Sequence, residues 1–169
     1  MEPATNRIIN SSSKSASLWQ LGFRPFFLFG AGYAALAIAL WVSFLGGWIS
    51  RPGLIDPVLW HSHEMIYGFA AAIVVGFVLT ASQNWTGMRG VHGSSLKILV
   101  LLWAVARTAI SLPFVPLTIV AIVDLAFFPV AAYFTAPYLK DPELKAEKLF
   151  FVFYGLLFAG NLLVHLETT

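Results

Sequence analysis

The sequence has no cysteine at all. Disulfides, iron–sulfur clusters, thiolate copper sites and covalently attached c-type haem are therefore excluded, because each needs that side chain. Charge is nearly as scarce. Charged residues make up 11% of the 169 positions, against 59% hydrophobic ones, with a mean hydropathy of +0.80. A soluble domain carries roughly 25% charged residues, so the composition leaves almost no room for one. Several motifs are missing too. There is no phosphate-binding Walker loop, dinucleotide fingerprint, HExxH zinc motif or nucleophile with triad partners. The net charge of +2 says little by itself, and no nucleic-acid partner is expected.

What the chain does have is long apolar runs. About 20 predominantly apolar residues cross a bilayer as a helix, and five such runs use up nearly the whole chain. The expected spans are 25–48, 59–82, 95–112, 115–139 and 148–166, so the fold class is an all-α polytopic membrane bundle of about five transmembrane helices in residues 18–169. Residues 1–17 are polar and serine-rich and read as a disordered tail. The first apolar run is too long for a cleaved signal and reads as a retained span. Turn chemistry separates the runs: Arg51-Pro52-Gly53, Gly87 to Gly93, Pro113 to Pro116, and Asp141-Pro142.

Basic residues give the spans a direction. Arg7, Lys14, Arg24, Arg89, Lys97, Lys140, Lys145 and Lys148 fall on one side and only Arg51 on the other. The positive-inside rule then places the N-terminus in the cytoplasm and the C-terminus outside. Trp48, Trp60 and Trp85 stand near expected span ends, where an interfacial aromatic belt would put them. With this direction, the start of the second span and the end of the fifth share the outer side.

Ionisable groups inside spans are costly and usually face the bundle interior. Here they are His61, His63, Glu64, Arg107, Asp124 and His165, with Asn161 beside them. His61 and Glu64 lie three apart and share a helix face. His63 points about 200° from His61, so one regular helix cannot offer both to one metal. Either they serve two sites or the turn is irregular. Glu64, Gly68, Ala72, Gly76 and Thr80 recur every fourth residue, a small-residue stripe that lets another helix come close. Arg107 lies ~9 Å and Asp124 ~12 Å from the tight Pro113–Pro116 joint at 1.5 Å per residue, so an interhelical ion pair is expected. Asn161 and His165, four apart, share a face. His61, His63 and His165 fall at one end of the bundle, where two imidazoles from two helices would suit a haem iron or a copper ion. A solvated, purely structural role at headgroup level is the competing reading. So is a permease-like or assembly module in which His61, Glu64, Arg107 and Asp124 line a path for protons or metal ions.

The ordered set of short motifs resembles the NnrS family. It comprises Leu18-Trp19-Gln20-Leu21-Gly22-Phe23-Arg24-Pro25-Phe26-Phe27, then Trp60-His61-Ser62-His63-Glu64-Met65 with Gly68-Phe69, and then Asn84-Trp85-Thr86-Gly87. Trp103 with Arg107, Asp124 with Phe127, and Asn161 with His165 follow in order. The resemblance covers residue 18 to the end and is to the N-terminal part of longer chains with more spans. It implies a multi-pass protein of the bacterial inner membrane that binds non-covalent b-type haem and copper and serves in the response to nitric oxide and nitrosative stress, often alongside denitrification. Nitric oxide is the implied small ligand, and a C-terminal helical partner or a second copy the implied protein partner. No defined reaction is implied. By position, His61, His63 and His165 are the implied haem and metal ligands, with Glu64, Arg107, Asp124 and Asn161 as supporting or charge-pairing residues.

Overall fold

The computed structural model describes residues 18–140 and 145–168. The tail expected over 1–17 and the joint expected at Asp141-Pro142 lie outside the described residues. Within them the architecture is all helical, with five helices long and apolar enough to cross a membrane: Phe23–Leu45, Pro57–Thr86, Gly93–Ser111, Leu117–Tyr138 and Lys148–Thr168. The expected spans agree with these to within a few residues. Helix α1 is Phe23–Leu45, α2 Pro57–His63, α3 Ala71–Thr86, α4 Gly93–Ser111, α5 Leu117–Leu125, α6 Phe127–Thr135 and α7 Lys145–Thr168.

The second span is the hub. Half of its most apolar stretch is buried, against 11% for the first span, which shows most of its surface to the surroundings. Its start is written locally. Asp56 Oδ1 accepts from Val58 N at 3.0 Å and Leu59 N at 3.1 Å, and Pro57 occupies the first helical position, where a missing N–H costs nothing. Its end is equally explicit: Gly87 takes a left-handed φ of 67° and donates its N–H to Gln83 O, the usual glycine stop.

Between these ends, α2 and α3 are joined by a π-helical turn over Glu64–Ala70. Such a turn inserts an extra residue per hydrogen-bonded ring and is frequent at functional sites. The small-residue stripe then docks on α1, as its spacing predicts. A Cβ on Gly76 would lie 2.7 Å from Phe26 Cβ and 3.3 Å from the Phe23 backbone, and one on Gly30 would lie 3.3 Å from Ala72 Cβ. Thr80 Oγ1 accepts from Phe23 N at 3.0 Å.

One expectation needs correction. Trp60 is not in an interfacial belt: it is 0% exposed, packed with Ala37, Ile55, Ala109, Ile110 and Val120. Trp48 and Trp85 are exposed, as a belt requires. The fourth span crosses as one run, Leu117–Tyr138, as expected, with a single turn at Ala126 between α5 and α6, where Pro129 cannot donate to the carbonyl four residues back.

Candidate metal centre

The π-turn sets the site. His63 closes α2 and Glu64 opens the turn, and both point into the bundle, 2% and 0% exposed. Arg107 from α4, Asp124 from α5, and Asn161 and His165 from α7 meet them there, all buried. Four spans thus contribute to one polar cluster.

Its hydrogen bonds close on one another. His63 Nδ1 lies 2.9 Å from Glu64 Oε1, and His63 Nε2 lies 2.9 Å from Asn161 Oδ1 and 3.1 Å from Asp124 Oδ2. His165 Nε2 is 2.9 Å from that same Asp124 oxygen, and Asn161 Nδ2 donates to it at 3.0 Å. A carboxylate oxygen accepts only, which fixes the Asn161 amide with its oxygen toward His63. Arg107 donates to Glu64 Oε1 at 2.8 Å and, with its other terminal nitrogen, to Asp124 Oδ1. Tyr33 from α1 donates to Glu64 Oε2. The expected Arg107–Asp124 ion pair is therefore present, with Glu64 as a second anion on the same guanidinium. Charges removed from water need such partners.

The sequence-predicted residues separate into two groups. His63, Glu64, Arg107, Asp124, Asn161 and His165 come together. His61 does not: it lies on the other side of its helix, its ring stacked on Trp41 at 4.5 Å with an interplanar angle of 10°, and its Nδ1 is buried without a hydrogen-bond partner. Glu64 does face the interior, but the histidine it faces with is His63 and not His61. The two histidines stand in different surroundings, as the helical geometry expects.

Tyr33 was not among the expected residues, and neither was Tyr67, whose ring lies 4.7 Å from that of His63. A neutral tyrosine in an apolar run carries no sign of its own. Trp103, noted only as part of a motif, donates Nε1 to Gly68 O at 2.9 Å, tying α4 to the π-turn just beyond Glu64.

The donor set fits a metal ion. One nitrogen each from His63 and His165 and one oxygen from Asp124 lie within 4.8 Å of one another. Metal–ligand bonds of about 2.0–2.2 Å place neighbouring donors roughly 3 Å apart, as the two histidine–aspartate separations are. Glu64 on His63 Nδ1 is the carboxylate that commonly orients a ligating imidazole. A haem does not fit between the same two histidines. Axial imidazoles on one iron stand on opposite faces of the porphyrin, but here Asp124 Oδ2 touches both Nε2 atoms.

No curated protein and no solved structure matches this chain. A family model does: the one described as NnrS protein matches residues 17–169, nearly the whole length. That match, over the same spans that build the cluster, shows that the chain belongs to the NnrS family and is a multi-pass membrane protein related to the nitric oxide response.

Proposed function

We propose that this chain binds copper at His63, His165 and Asp124 and uses that centre in the response to nitric oxide, with nitric oxide as its small ligand. The observation that carries the reading is the convergence of two imidazole nitrogens and one carboxylate oxygen from three different spans, all buried. Imidazole suits copper as well as zinc and iron, and the family resemblance favours copper among them. Copper held there would supply one-electron chemistry beside a small diatomic molecule. The chain's own residues do the rest. Glu64 holds His63 by Nδ1, Asn161 holds Asp124 by donating Nδ2 to its Oδ2, and Arg107 with Tyr33 fixes both carboxylates. The apolar bundle around them keeps water out. No role is assigned to haem, since the pair of histidines has no room for it.

The proposed setting is the bacterial inner membrane, with the N-terminus in the cytoplasm and the metal at the periplasmic end. The excess of basic residues on the opposite side supports this.

The test is metal analysis of the purified protein after copper loading, beside its visible spectrum. Wild type and His61→Ala are expected to retain stoichiometric copper, while His63→Ala, His165→Ala and Asp124→Asn lose it. Copper that survives the loss of both His63 and His165 would overturn the reading. A Soret band unaffected by those changes would place a haem elsewhere in the chain.

A further inference from the structure

Three charged side chains set the charge of the cluster, and Arg107 is the guanidinium shared by its two carboxylates. Glu64 and Asp124 are 0% and 3% exposed and Arg107 is 3% exposed, so two anions and one cation share a dry site. Tyr33 and Asn161 complete it and are neutral. With a metal in place of the proton on His63 Nε2 both imidazoles are uncharged, and the residues of the set then carry one net negative charge. The guanidinium also decides which oxygens remain available. It occupies Glu64 Oε1 and Asp124 Oδ1, and Tyr33 takes Glu64 Oε2. Of the carboxylate oxygens, only Asp124 Oδ2 is left facing the two histidine Nε2 atoms, with Asn161 Oδ1 beside it on His63.

An ion of charge +1 placed among those three donors makes the cluster neutral. An ion of charge +2 leaves one positive charge unbalanced, a few ångströms from a guanidinium and surrounded by apolar side chains. Unbalanced charge is penalised far more there than in water. Arg107 acts on the site through its bonds to the two carboxylates.

We infer that Arg107 is a selectivity residue: by holding the net charge at minus one, it makes the site take monovalent copper, Cu(I), in preference to a divalent ion. This rests on the metal reading above and adds the oxidation state that the protein favours.

The experiment measures the ratio of Cu(I) to Zn(II) affinity in the purified full chain, each ion competed against a chromophoric chelator, with Cu(I) handled anaerobically under reductant. Three variants are compared with wild type. Arg107→Gln removes the charge, and the ratio is expected to fall at least about tenfold, the scale of one added unit charge at close range in an effective dielectric near 20. Arg107→Lys keeps the charge without the planar fork and is expected to hold the ratio near wild type. Glu64→Gln keeps oxygen acceptors for His63 and Arg107 but neutralises the set, and the ratio is expected to rise. Because both ions share the loss of any orienting contact, the ratio isolates charge from geometry. If Arg107→Gln does not fold, the Lys and Glu64→Gln variants still decide, since a ratio unmoved by Glu64→Gln, or moved as far by Arg107→Lys as charge loss requires, overturns the inference. Wild type that binds both ions without a Cu(I) preference overturns it while leaving the metal site standing. Wild type that binds neither ion overturns both.

Discussion

Replacing Arg107 by leucine is the most direct probe of what holds the cluster together. The guanidinium makes a charge-assisted hydrogen bond to each of two buried carboxylates. Its loss leaves Glu64 and Asp124 facing each other's charge, with no water to screen them. Breaking a buried pair by removing one partner costs about 3–5 kcal/mol, because the remaining charge is stranded. Here one partner serves two anions, so the upper part of that range is expected, against a total stability typically of about 5–15 kcal/mol. Thermal or denaturant unfolding in a defined detergent, followed by tryptophan fluorescence, reads the effect, because Trp60 and Trp103 are buried and Trp103 packs on Tyr33. The reasoning also makes a non-additive claim. In the Arg107→Leu background, Asp124→Asn removes one stranded anion and is expected to restore stability by at least about 1 kcal/mol, although the same change in wild type destabilises; residues in one network couple in this way. An Arg107→Leu protein within about 1 kcal/mol of wild type, or an Asp124→Asn effect of the same sign in both backgrounds, would refute the account of a cluster bound by charge.

Three further outcomes follow from the packing. Gly76→Ala drives a methyl to 2.7 Å from Phe26 Cβ and is expected to destabilise by about 1–3 kcal/mol; Gly155→Ala, with no atom within 4 Å of its Cβ position, is the control and should be neutral or slightly stabilising, both measured by the same unfolding assay. Asp56→Ala removes the cap that accepts from Val58 and Leu59 and is expected to cost about 1 kcal/mol, with earlier hydrogen exchange in residues 57–60 than in the rest of the span as its local signature. A topology reporter fused after Thr169 is expected to read as periplasmic, and a cytoplasmic signal would reverse the proposed orientation.

The cluster was legible in the sequence to an unusual degree, for a physical reason. A bilayer penalises every buried charge, so the few ionisable residues within apolar runs stand out, and six of the seven polar residues singled out there do meet. The depth count from the Pro113–Pro116 joint matched Arg107 to Asp124 because a short joint leaves two adjacent helices little freedom in register. What stayed hidden has the opposite character. Tyr33 and Trp60 are amphipathic and cost little in either place, so their position in the sequence did not say whether they face lipid, interface or core. Only the packing around Glu64 and Ile110 decides. The π-turn was hidden for a related reason: its i to i+5 bonds depend on how α2 and α3 are gripped by α1 and α4, including the Trp103 bond to Gly68, and no local residue pattern announces it. Helical geometry correctly separated His61 from His63, but it could not say which of the two faces inward. That choice belongs to Glu64. Arg107 and Tyr33 hold its carboxylate in the interior, and the neighbouring histidine whose Nδ1 reaches Glu64 Oε1 is the one drawn into the site. The inward histidine is thus selected by Arg107 and Tyr33, two side chains on other spans that grip its neighbour Glu64, and the same Arg107 that stabilises the bundle also positions a proposed metal ligand through that carboxylate.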